Sequence, residues 1–95
     1  MKLVTIVCEA YAQDPVTKQL REAGAHGWTL FAVEGDGSQG QRPGDIREFA
    51  NIQIEVVGSP EVAEKLLARL EKDFFSRYAM IAFESDVRVL RPAKF

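Results

Sequence analysis

The sequence predicts an α+β fold, with a four-stranded antiparallel sheet carrying two helices on one face. Three observations predict it. The chain reads strand, helix, strand twice over, giving the order βαββαβ. Each helix opens on a short polar residue followed by proline, Asp14-Pro15 and Ser59-Pro60. The second and third strands flank a stretch rich in glycine and polar residues, so they pair across an outsized hairpin connection. A chain of this order folds most simply in the ferredoxin-like arrangement.

Residues 3–8 (LVTIVC) form the first strand, with Val4, Ile6 and Cys8 on one face and Leu3, Thr5 and Val7 on the other. Asp14 as N-cap and Pro15 at the first helical position then open a helix. Its apolar stripe is Val16, Leu20 and Ala23, and Gly24 and Gly27 end it. Residues 28–33 are an unbroken apolar and β-branched run, as a strand buried on both faces reads.

Residues 34–48 read as loop, because Gly35, Gly37, Gly40, Gly44 and Pro43 crowd together with polar side chains. Residues 50–57 alternate Ile52, Ile54 and Val56 against a half-polar, partly wet face. Ser59, Pro60 and Glu61 repeat the cap, proline and first-turn acid of a helix start. Val62, Ala63, Leu66, Leu67, Leu70 and Phe74 follow at helical spacing. The last strand runs over 78–83, pauses at 84–86 and resumes over 87–90, leaving 91–95 as a tail.

With 95 residues the chain is one domain, 1–95, large enough for a single core but marginal as a monomer. The helices cover one sheet face, yet three strands are apolar on both. The uncovered face predicts an obligate small oligomer. A net charge of −2 gives no electrostatic reason for binding nucleic acid or anionic membranes. No apolar run approaches a membrane span, no leader precedes the first strand, and Cys8 reads as a buried thiol. These features predict a cytoplasmic protein. One histidine and one cysteine, far apart, argue against a His/Cys metal site within one chain.

The stretch G-W-T-L-F-A-V-E-G-D-G, residues 27–37, resembles the end of strand two and the opening of the T-loop in the PII signalling superfamily. D-V-R-V-L, residues 86–90, is similar to that superfamily's last strand, where an arginine reaches a bound nucleotide. The resemblance covers nearly the whole chain in element order and is motif-specific at these two places. It implies a homotrimer with an adenine nucleotide, AMP, ADP or ATP, in each cleft between subunits, and a T-loop whose shape reports ligation.

The loop holds no tyrosine for nucleotidylylation, and the glycine-flanked lysine of the nitrogen-regulatory branch is missing. An ungapped match puts Arg77 in its place. The closer likeness is to PII-like proteins of inorganic-carbon metabolism, which partner bicarbonate transporters or lie beside carboxysome genes; the closing RVLRPAKF looks like the carboxysome-associated branch. That branch implies bicarbonate as a second ligand, and a station at the carboxysome or at the inner membrane face through a partner.

By this resemblance Thr29, Gly35, Gly37 and Ser38 line the nucleotide, Arg88 meets phosphate, and Arg77 joins it. Gln39, Gly40, Arg42 and Arg47 are the candidates for bicarbonate and T-loop contacts. The chemistry suits the roles. Glycine-flanked amides cradle anions, and an arginine fork fits planar oxyanions. Ordering a loop residue costs about 1–2 kcal/mol, so a nucleotide that fixes Gly35 and Gly37 assists bicarbonate, and the two bind cooperatively.

Read by themselves, the same residues are blander. Arg88 is a solvated strand-edge cation, Arg42 and Arg47 serve loop solubility, His26 is a turn residue, and Glu84 and Asp86 are structural. Two other function classes stay open. One is a nucleotide hydrolase of low turnover, though no triad, metal cluster or P-loop lysine supports an enzyme. The other is a different ferredoxin-like binding module, an amino-acid sensor or a CutA-like protein. An RNA reader lacks its exposed aromatics and basic sheet.

Overall fold

The computed structural model describes residues 1–34 and 51–95, and the backbone of 36–37 and 40–41. Strand β1 spans Lys2–Glu9, β2 Thr29–Val33, β3 Asp36–Gly37, β4 Gly40–Gln41, β5 Asn51–Gly58 and β6 Ile81–Asp86. Helix α1 spans Gln13–Ala23 and α2 Pro60–Asp73. The main sheet has four strands in the order β2-β5-β1-β6, every neighbouring pair antiparallel. This is the ferredoxin-like α+β fold.

Period-two alternation assigns the faces. Val4, Ile6 and Cys8 of β1 and Ile52, Ile54 and Val56 of β5 are buried. They pack with Val16, Leu20 and Ala23 of α1 and Ala63, Leu66 and Leu70 of α2 in one core. The opposite face is open. Register aligns Phe31, Gln53, Val7 and Ile81 in one row, and Thr29, Glu55, Thr5 and Phe83 in the next. Phe31, Ile81 and Phe83 are 40%, 56% and 54% exposed there. Among the described residues no helix is long and apolar enough to cross a membrane.

The two helix starts differ, although their sequences look alike. Ser59 caps α2 as expected: its Oγ accepts from the Val62 amide at 3.1 Å, with Pro60 in the first turn. Ser59→Ala should therefore cost about 1 kcal/mol, read as a lower denaturation midpoint, and Ser59→Asp should recover most of it. Asp14 is not a cap. A 3-10 turn, Ala10–Ala12, leads straight from β1 into α1, whose N-cap position is Ala12. Asp14 and Pro15 therefore lie inside the first turn, and the Asp14 carbonyl receives the Thr17 hydroxyl at 3.1 Å.

The end of α1 follows expectation at Gly24, which adopts φ 99°. Its amide donates to Arg21 and that of Ala25 to Leu20, each at 3.0 Å, the paired bonds of a Schellman motif. Gly27 takes no part in these bonds. Trp28 lies just before β2, with the Arg21 guanidinium 5.0 Å from its ring centre.

Three further boundaries depart from the sequence reading. Within the stretch read as structureless loop, Asp36–Gly37 pairs with Gly40–Gln41. The last strand begins at Ile81, because the Arg77 and Tyr78 amides are held in turn bonds to the Phe74 carbonyl. Glu84, Ser85 and Asp86 do not interrupt it. They pair with Val4, Leu3 and Lys2, and the Lys2 ammonium reaches Asp86 at 2.6 Å and Glu84 at 3.3 Å. No strand resumes over 87–90, where the Val87 amide donates to the Met1 carbonyl at 3.2 Å.

The Lys2 hydrogen bond, then its charge, holds the Asp86 carboxyl below its usual range. The Asp86 hydrogen bond is the first cause that raises Lys2. A depressed carboxyl contributes stability above its unfolded pKa and loses it as pH falls through the folded value. Both groups are solvated, so the contribution is small.

Candidate functional site

Of the residues the sequence singles out, Thr29, Gly37, Gly40, Arg77 and Arg88 lie in the described structure, while Gly35, Ser38, Gln39, Arg42 and Arg47 lie outside the described residues. Thr29 opens β2 on the uncovered sheet face, level with Glu55 and Thr5 and exposed. Gly37 and Gly40 face each other in the short β3–β4 ladder.

Arg77 stands in the turn after α2, its amide donating to the Phe74 carbonyl at 2.9 Å. Its guanidinium lies 5.7 Å from the Phe74 ring centre and 5.6 Å from that of Tyr78. The Tyr78 ring in turn lies 5.8 Å from Tyr11. Glu9, at the end of β1, ties these pieces together. Its Oε2 accepts from the Tyr11 hydroxyl at 3.0 Å and from the Ala79 amide at 3.1 Å. The carboxylate thus fixes the segment carrying Arg77 against the end of the sheet. Sequence reading missed Glu9, Tyr11 and Asn51. A lone glutamate closing an apolar strand was the available signal for the first.

Register separates the two arginines. Ala79 meets Glu9 at one end of β1, whereas Val87 meets Met1 at the other. Between them the six residues of β6 span roughly 17 Å at about 3.4 Å per step. Within one copy, the fold brings Arg77 to the end of the sheet where β2 leaves for Gly37, and Arg88 to the opposite end. The open face between them carries Thr29 and the exposed Phe31, Ile81 and Phe83.

The described structure is a ferredoxin-like antiparallel sheet with two helices on one face, exposed Phe31, Ile81 and Phe83 on the other, and an arginine beyond each end of β6. Residues 1–94 match the family model described as nitrogen regulatory protein P-II, and the chain belongs to that family. It is a PII-like regulatory protein. A PII-like signaling protein of Thermus thermophilus is similar at 39% identity and TM-score 0.86, covering 99% of this chain and 93% of that one. CPII of Thiomonas intermedia, a nitrogen regulatory PII-like protein bound to ADP, AMP and bicarbonate, is similar at 30% identity and TM-score 0.90, covering 99% and 92%. A further CPII structure, bound to ADP, AMP and acetate, matches at 28% identity and TM-score 0.83, again covering 99% and 92%.

Proposed function

We propose that this protein is a nucleotide sensor that binds adenine nucleotides in clefts between three copies of the chain, takes bicarbonate as second ligand, and regulates inorganic-carbon uptake or fixation through residues 34–48. The observation that carries the proposal is the match over 99% of the chain to a relative holding ADP, AMP and bicarbonate. The relative that holds acetate supports a small planar anion as the second class of ligand. The bare apolar face supports assembly, since a patch of this kind is buried in stable proteins.

In this reading Thr29, Gly35, Gly37 and Ser38 line the nucleotide, and Arg77 and Arg88 meet its phosphates. The two stand at opposite sheet ends, which supports a composite cleft in this reading, with one arginine from each neighbour. Gln39, Gly40, Arg42 and Arg47 hold bicarbonate. The downstream partner is a bicarbonate transporter or a carboxysome-linked protein, met in the cytoplasm, at the carboxysome or at the inner membrane face. We assign the protein no catalytic step.

Calorimetry tests this directly. ADP is titrated into the protein with and without millimolar bicarbonate at fixed pH and ionic strength. Each ligand should raise the affinity of the other by the same factor. Superimposable ADP isotherms would remove bicarbonate from the reading and leave the nucleotide. A charge-assisted arginine–phosphate bond contributes about 1.5–3 kcal/mol, so Arg88→Ala should weaken ADP by about tenfold or more while the oligomer persists. Equal affinities for variant and parent would take Arg88 out of the site.

A further inference from the structure

We propose that Glu9 is a positioning residue for the nucleotide, holding Arg77 in reach of the phosphates without touching them. The inference rests on the reading above that Arg77 meets phosphate. Glu9 is the last residue of β1, on the uncovered sheet face and directly opposite Asn51 of β5.

Arg77 is held in two ways, and both run through Glu9. The first is backbone. The turn after α2 donates the Arg77 and Tyr78 amides to the Phe74 carbonyl, and the next amide, that of Ala79, donates to Glu9 Oε2 at 3.1 Å. The second is a stack of rings. The Arg77 guanidinium lies against Phe74 and Tyr78, and the Tyr78 ring stands 5.8 Å from that of Tyr11. The Tyr11 hydroxyl donates to the same Glu9 oxygen at 3.0 Å. One carboxylate oxygen thus fixes both the backbone just beyond Arg77 and the far ring of the stack that seats it.

Glu9 can do this because it is anchored in turn. Its Oε1 is buried, and Asn51, 2% exposed, is its partner across the β1–β5 pair, with Cβ atoms about 4.5–5.5 Å apart. The Asn51 Oδ1 is buried with no hydrogen-bond partner among the described residues. An amide turned over exchanges oxygen for nitrogen with no change of shape. A buried donor beside a carboxylate is satisfied where a second acceptor is not. In that orientation Asn51 gives an N–H to Glu9. Asn51 also pairs with Val33, where β2 leaves for the loop, so Glu9 joins the base of the loop to the arginine segment.

This role asks for reach and an accepting oxygen, since a negative charge offers a phosphate nothing. The test titrates ADP into the oligomer by calorimetry, with light scattering to follow its size. Glu9→Gln keeps the length and the acceptor, and its amide nitrogen can meet the Asn51 oxygen. It should bind ADP within about twofold of the parent. Glu9→Asp keeps the charge but is one methylene shorter, and gives up the bonds to Ala79 and Tyr11. A loosened Arg77 must be ordered on binding, so Glu9→Asp should weaken ADP about fivefold or more. In the Arg77→Ala background the same substitution should cost less than about twofold, because no arginine is left to position.

Equal losses from Glu9→Asp in the two backgrounds would overturn the proposal, since Glu9 would then act on the site by another route. So would a Glu9→Asp protein of parental affinity, a Glu9→Gln protein as weak as Glu9→Asp, or a loss of ADP that accompanies a broken oligomer. Arg77→Ala binding ADP as the parent does would instead remove Arg77 from the nucleotide, and with it the reading on which the proposal rests.

Discussion

Phe83→Glu should leave the protein monomeric at micromolar concentration and deprive it of nucleotide binding. Phe83 is 54% exposed on the open face, on the edge strand β6 beside Thr5, with Ile81 56% exposed two residues away. Burying such side chains between copies stabilises an assembly by roughly 1.5–3 kcal/mol each. The substitution removes that gain at every subunit contact and puts a carboxylate where no cation faces it among the described residues. An unpaired buried charge costs far more than the lost contact.

The fold itself should survive, because the core lies on the other side of the sheet, where Ile6, Ile54, Leu20 and Leu66 are fully buried. Light scattering should therefore show monomer while far-ultraviolet circular dichroism stays native. Ala68→Glu, on the exposed side of α2, adds the same charge and should change neither. A Phe83→Glu protein that remained trimeric would exclude the open face as the interface. If the monomer still bound ADP with parental affinity, the nucleotide site would lie within one copy.

The faces of this fold are legible because strand alternation is a local property. Val4, Ile6 and Cys8 against Leu3, Thr5 and Val7 needs no tertiary knowledge, and the helix positions follow from caps and stripes. The misread boundaries needed it. Asp14-Pro15 has the chemistry of Ser59-Pro60, yet the buried Ala12 already carries the chain into helical geometry before either residue is reached. Glu84 and Asp86 look like strand breakers until register sets Lys2 against both.

Arg77 and Arg88 were legible as cations near family motifs, but their separation was not. It depends on which end of β1 each end of β6 meets. Glu9 was invisible for a similar reason, since its Ala79 partner lies 70 positions away. Asn51 alternates with isoleucines like any wet strand residue, and only the burial of its oxygen sets it apart from Gln53 and Glu55.

That separation yields a complementation result. Arg77→Ala and Arg88→Ala should each weaken ADP by about tenfold or more as homo-oligomers, and mixing the two proteins should restore parental sites. In a cyclic trimer every interface is heterologous, so the composite cleft proposed above would take the Glu9 end of one copy's sheet and the Met1 end of its neighbour's. If Arg77 and Arg88 meet one nucleotide, they come from different copies.

A cleft formed by the Arg77 side of an Arg88→Ala subunit and the Arg88 side of an Arg77→Ala subunit carries both arginines. Each mixed ring then contains one such cleft. Random assembly of equal amounts after denaturation and refolding should give about one parental-affinity cleft in four. Calorimetry on the mixture should resolve a tight class of sites with that stoichiometry, alongside the weak remainder. The double variant Arg77→Ala/Arg88→Ala, mixed with itself, should show none. If one copy supplied both arginines to its own nucleotide, no mixture of the single variants could rebuild a complete site. An isotherm equal to the sum of the two separate proteins would therefore exclude the composite cleft.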